Sequence, residues 1–309
     1  MLDFVYYPVS AILWFWHTVF GFLLDPASGI AWALSVAFLV FTLRAILFPT
    51  AFRQARAQRA LLRLQPQIAA LKVKHAGDRQ GLAVAMQSLQ KDNGVSPLSS
   101  CLPALLQIPV FLGLLHVLNS FNRTGAPLWM SATDNANTPN YLFSAMDVQS
   151  FLQAKLLGAP LAATISSTPA QLAAYGDVSR LDVALVAIPL MLIAAVATHF
   201  TARAAVARQS GMADSTTQTA IMNRLMLWVF PVGVLVGGAF LPVAILVYWL
   251  SNNVWTLAQQ HVVMRTLDRE QLPGGARQLP ASGSGQGDGA SRPPGGRITG
   301  DPPEDPIAP

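Results

Sequence analysis

Charge is scarce in this chain. Of 309 residues only 11% are Asp, Glu, Lys or Arg, against 52% hydrophobic, where a soluble domain carries about 25% charged residues. That balance excludes an ordinary soluble domain. The apolar runs are long enough for membrane helices rather than barrel strands. Cysteine is almost absent. A single thiol, Cys101, excludes an intrachain disulfide and leaves the redox compartment unreadable; its place at the head of an apolar run points to a packed side chain. The start, Met1-Leu2-Asp3, has no basic region, and neither a convincing cleavage site nor a lipobox cysteine follows, so an ordinary signal peptide is not expected. HExxH, GxSxG and glycine-rich phosphate loops are missing. No two histidines stand at metal-ligand spacing, and no acidic residue lies inside an apolar span to relay protons. Catalysis, a metal site and a cofactor are not expected.

What the sequence does contain is one arginine in an apolar run. Arg44 lies in GIAWALSVAFLVFTLRAILFPTAF, residues 29–52, with no acidic residue to pair with it. A central arginine in a membrane helix costs roughly 2.5–3.5 kcal/mol on insertion scales, and such a charge is read by default as a functional site. At helical spacing its neighbours are Ala33, Ala37, Val40, Phe48 and Ala51, which leave room for water or an incoming chain. Arg53 lies roughly 13 Å further on, beyond comfortable snorkelling. A second signal is a polar stripe. Tyr248, Asn252, Trp255, Thr256 and Gln259 fall at i, i+4, i+7, i+8 and i+11 of the last apolar run. It forms either the polar wall of a cavity or interhelical hydrogen-bond glue. Gln107 is a further candidate, with His116 and Asn119 farther out; His116 is read as a packing histidine.

Charge distribution orders the chain. Residues 1–28 carry Tyr6, Tyr7, Trp14, Trp16 and His17 and predict an interfacial helix over 4–24 rather than a span. The first span is 29–52. Residues 53–97 hold Arg53, Arg56, Arg59, Arg63, Lys72, Lys74, Arg79 and Lys91 against Asp78 and Asp92, which places them in the cytoplasm. Two apolar stripes, Leu61/Leu64/Ile68/Leu71 and Leu82/Met86/Leu89, flank His75-Ala76-Gly77-Asp78 and predict a helical hairpin. The second span, 98–121, contains Pro103 and Pro109 and should bend. Residues 122–181 have balanced charges and form an outer loop with short amphipathic pieces of its own. The third span is 182–200, a short inner loop is 201–223, and 224–263 holds the fourth and fifth spans as a tight hairpin. The tail, 264–309, rich in Gly, Pro and Ser beyond Leu272, is expected to be disordered. The fold class is thus an all-α polytopic membrane protein. It has five spans, an N-terminal interfacial helix and a cytoplasmic helical hairpin, with the N-terminus outside and the C-terminus inside.

The segments LRAILFP, LQPQI, NGVSPLSSCLPALLQIPVFLGL and LPVAILVYWLSNNVWTLAQQHVVMR occur in this order. Together they resemble the YidC/Oxa/Alb membrane protein insertases over about residues 4–269. The spacing of Pro97, Cys101, Pro103, Gln107 and Pro109 is the most specific part, and YYPVS with the long outer loop looks most like the actinobacterial branch. The resemblance implies a five-helix core around a hydrophilic groove, with Arg44 as its positive charge and Gln107, Phe111, Tyr248 and Trp249, near Asn252, as groove positions. It also implies that the basic hairpin, with Arg53, Arg56, Arg59, Arg63, Lys72 and Lys74, recruits substrate or touches ribosome or lipid. The implied partners are nascent membrane-protein clients and membrane lipids, with a Sec-type translocon and the ribosome left open, and the implied working unit is a monomer. Two departures stand out. The tail beyond Gln271 has Arg277, Arg292 and Arg297 against Asp288, Asp301, Glu304 and Asp305, so it lacks the strongly basic character suited to ribosomal RNA. The large soluble outer domain of Gram-negative members, and the span preceding it, are absent from this sequence. The rival readings are a transporter or channel, which predicts polar residues on several helices and often repeats, and a membrane-bound enzyme.

Overall fold

Helices built from the apolar runs make up most of the chain. The structure, a computed structural model, describes residues 3–94, 98–124, 128, 130–209 and 217–270, with backbone alone for 98–106, 208–209, 217–220 and 270. The thiol of Cys101 and the tail from 271 onward lie outside the described residues.

Helix α1, Asp3–Leu23, turns into α2, Gly29–Ile46, whose first turn is capped by the Ser28 hydroxyl accepting from the Ile30 amide. The two pack along aromatic faces. Trp16 donates its indole N–H to the Thr42 hydroxyl at 2.9 Å, Phe20 meets Phe38, and the His17 ring stacks 3.6 Å from Trp32. The helix expected to run through residue 52 ends at Ile46, and α3, Phe48–Arg63, starts beyond a cap at Leu47. Pro49 explains the break, because it has no amide to give to the carbonyl of Ala45, four residues earlier. Phe48 and Ala51 therefore sit on a different helix from Arg44. Helices α4, Gln65–Lys74, and α5, Arg79–Asp92, follow, the latter capped by Asp78. Leu64 and Ile68 are buried against Leu61, Met86 and Leu89, and Gly77 makes the turn with φ +92°.

Helix α6, Leu98–Asn119, is one element through both of its prolines. The segment after it carries α7, Ala132–Ala136, then α8, Ala145–Gln153, an antiparallel pair β1, Lys155–Leu156, with β2, Ala159–Pro160, and α9, Pro169–Ala173. Reciprocal capping boxes, Ser144 with Asp147 and Thr168 with Gln171, start α8 and α9. These pieces pack around Trp32. Its indole N–H donates to the Ser150 hydroxyl at 3.0 Å, and its ring meets Phe121, Phe143 and Phe151, with centroids 4.9 to 5.6 Å apart. Gly29 is required here, because a Cβ on it would collide with the backbone of Lys155.

Helix α10 spans Arg180–Gln209, and α11 spans Thr217–Arg224. A π-helical turn, Leu225–Val229, leads into α12, Phe230–Gly238, and α13 runs Val243–Glu270. The π turn has an identifiable cause. Pro231 has no amide to give to the carbonyl of Leu227, four residues earlier. The imidazole Nδ1 of His199, on α10, lies 2.9 Å from that carbonyl. A carbonyl only accepts, so Nδ1 donates. By length and composition, Gly29–Ile46, Arg180–Ala207 and Ile221–Gly238 can each cross a bilayer; Gln107–Asn119 is a shorter apolar helix.

Candidate functional site

The C-terminal half of α2 lacks the burial of its N-terminal half. Ala31, Trp32, Ser35, Val36, Leu39 and Val40 are buried on one face, whereas positions 41–46 are half-buried or exposed. Arg44 projects there, and its Nε and Nη2 donate to the Asn252 side-chain oxygen at 3.1 and 2.6 Å. Asn252 is on α13, so the contact joins two helices far apart in sequence. Beside it Gln107 of α6 donates to the Tyr248 hydroxyl at 2.6 Å, and the Phe111 ring lies 5.6 Å from that of Tyr248.

These groups line one open cavity of about 620 Å³. Arg44, Gln107, Phe111, Tyr248, Trp249 and Asn252 are all on its wall, with Thr256 and Gln259 one and two turns further along α13. Trp255 is not. Its indole donates to Gln259 at 2.8 Å and its ring faces Phe41 and Phe48. Arg44 has no acidic partner among the described residues; its bonds go to a neutral amide oxygen. The cavity is also walled by Ala51, Gln54, Ala55 and Gln58 of α3. Sequence reasoning missed this wall. The signal was present, since these four residues repeat at i, i+3, i+4 and i+7, but arginines on the neighbouring faces dominate the segment.

The basic residues of α3 and α4 divide. Arg53, Arg56, Arg63 and Lys74 are exposed, and Lys72 is half-buried. Arg59 turns back onto α13, where Nη2 pairs with Asp268 and approaches the Met264 sulfur. His116, farther out on α6, stacks on Tyr6 at 4.1 Å and lies 2.7 Å from the Tyr141 hydroxyl. In the segment between α6 and α10 Tyr175 is buried and accepts from the Asn122 amide. Burial raises its hydroxyl pKa to about 12, against a smaller lowering by that hydrogen bond.

Three helices long and apolar enough to cross a bilayer mark a multi-pass protein of the cell membrane. The sequence profile of the 60Kd inner membrane protein family matches residues 23–270. The chain belongs to this family, that of the YidC membrane protein insertases. It is 52% identical over 274 residues to the membrane protein insertase YidC of Mycobacterium tuberculosis, an overlap of 87% of this chain and 74% of that one. The YidC of Mycobacterium leprae is 52% identical over 273 residues, covering 87% and 71%. That of Streptomyces avermitilis is 33% identical over 267 residues, covering 86% and 58%. The resemblance drawn from sequence motifs and the family match agree.

Proposed function

We propose that this protein inserts nascent membrane proteins through the Arg44 cavity, used as a hydrophilic groove, without nucleotide hydrolysis. The observation that carries the reading is the Arg44–Asn252 contact on the wall of an open cavity that brings charged and amide groups among apolar helices. In this reading α2, α6, α10, the α11–α12 unit and α13 are five spans, and α1 lies at the outer interface. The basic helices α3 to α5 form the cytoplasmic hairpin that receives clients, with the N-terminus outside and the C-terminus inside.

Elementary energetics supports this. A client with a polar or acidic outer tail must carry that tail across a low-dielectric core. A wet cavity shortens the apolar distance. The guanidinium is held by a neutral oxygen, and a carboxylate is the stronger acceptor, adding charge attraction and a bidentate geometry. A client carboxylate can therefore displace Asn252, while Gln107 and Tyr248 offer hydrogen bonds to its backbone. The membrane potential adds about 2.3 kcal/mol per negative charge per 100 mV to outward movement. The apolar segment then leaves sideways into lipid, driven by its own burial.

The test uses purified protein in liposomes, a single-span client with a short acidic outer tail, and protease protection. Wild type should insert the client. Arg44→Glu should abolish insertion, and Arg44→Ala should reduce it less. Insertion unchanged by either substitution would remove the groove charge from the mechanism.

A further inference from the structure

A second cavity, of about 500 Å³, opens where α6 ends and α12 turns into α13. Its position at the outer headgroup level rests on the topology proposed above. Its chemistry differs from that of the groove. Asn119, Arg123, Ser166, Gln171 and Tyr175 supply amide, guanidinium and hydroxyl groups, and among the described residues no Asp or Glu lines it. Arg123 is fixed from behind. Its Nη2 donates to the Pro139 carbonyl at 3.0 Å and the Asn140 side-chain oxygen at 3.2 Å, while its backbone amide donates to Asn135. Nε and Nη1 have no partner among the described residues. Gln171 uses its oxygen to cap Thr168, which leaves its NH₂ group for the cavity. The Asn119 amide has no side-chain partner among the described residues. The rigid wall is sealed by backbone bonds from Ser166 to Ala239 and from Val243 to Ala163.

Unspent donors around one positive charge, with no competing carboxylate, fit an anion. The surrounding hydroxyls and amides fit a ligand that also carries hydroxyl groups. Leu128 and Phe240 stand exposed at the rim, 61% and 67% accessible, where acyl chains would lie. We propose that this cavity binds the hydroxyl-bearing phosphodiester headgroup of an anionic lipid of the outer leaflet. Arg123 Nε and Nη1 would hold the phosphate, and Asn119 and Gln171 the hydroxyls. Soluble glycerol phosphate offers the same chemistry from the aqueous side.

The test is native mass spectrometry of the detergent-solubilised full chain with phosphatidylglycerol, phosphatidylcholine or sn-glycerol 3-phosphate. Phosphatidylglycerol should be retained over phosphatidylcholine. Arg123→Gln should weaken its retention on the order of tenfold, the loss of one charge-assisted hydrogen bond. Because Arg123 also braces the outer segment, Asn119→Leu serves as the second variant and should weaken retention several-fold with no loss of fold. Arg44→Ala should leave retention unchanged, which separates this site from the groove and its outcome from that of the insertion assay. Equal retention of the two lipids, or retention indifferent to both Arg123→Gln and Asn119→Leu, would overturn the proposal. Binding of glycerol phosphate more tightly than the lipid would overturn the lipid source.

Discussion

Helix α2 joins two unlike regions. Trp32 and Arg44 lie on the same helix, about 18 Å apart along its axis at 1.5 Å per residue. Around Trp32 the side chains are buried, aromatic and interlocked with a segment more than a hundred residues away. Around Arg44 polar side chains from three helices are joined by a few hydrogen bonds beside an open space. The Trp32 end gains its stability from packing and holds one arrangement. The Arg44 end gains less from packing, and its cavity contacts include polar groups that another ligand can replace. The same helix thus supplies an anchor and an exchangeable surface.

The sharpest way to break this contrast is at the anchor. Trp32→Ala should lower stability by about 3–5 kcal/mol, the usual result of emptying a large aromatic site in a close-packed core. Thermal unfolding in detergent checks it. A loss no larger than that of Tyr248→Phe at the cavity would mean that the two regions are equally packed. A second effect should follow pH. Burial raises Tyr175 to about 12 in the folded protein, against about 10 unfolded. The folded state therefore keeps its proton where the unfolded state has lost it. Stability is full below about pH 10 and falls by about 2–3 kcal/mol as pH rises through 12. Tyrosinate absorbance should show late titration that Tyr175→Phe reduces by one group; a complete titration near pH 10 would contradict the burial.

How much of this was legible depended on whether the signal was local. A charge in an apolar run exposes Arg44, and helical periodicity brings Tyr248 and Asn252 to one face. The matched stripes around Leu64, Ile68 and Met86 pair as their spacing implies. Periodicity defines a sector rather than a contact, so Trp255 fell in the stripe yet packs against Phe41 and Phe48. The break at Leu47 was written in Pro49 but hidden inside a continuous apolar run. The outer core was least legible. Ser144-x-x-Asp147 and Thr168-x-x-Gln171 mark helix starts, but nothing local says that Phe143 and Phe151 meet Trp32.

At the π turn a smaller effect separates backbone satisfaction from packing. His199→Leu should cost about 0.6–1.7 kcal/mol, the range for hydrogen bonds between membrane helices. Pro231→Ala restores an amide four residues after Leu227. In that background the cost of His199→Leu should shrink, because the carbonyl has an internal donor again. A thermal-unfolding double-mutant cycle measures the coupling. Strictly additive losses would show that the imidazole acts by packing alone.

The smallest effect belongs to the Arg44 end. Arg59 on α3 pairs with Asp268 near the end of α13, and Met264 beside them lines the cavity. Asp268 is 67% exposed, so the pair should contribute less than about 1 kcal/mol, as exposed ion pairs do. Arg59→Glu should lose that contribution, and Arg59→Glu with Asp268→Arg should regain most of it. The regained part should fade between low and high salt, since screening at 1 M ionic strength acts within about 3 Å. A coupling unchanged by salt would mean that α3 is fastened to α13 as firmly as Trp32 is to its core, and the difference between the two ends of α2 would not extend to the helices beyond it.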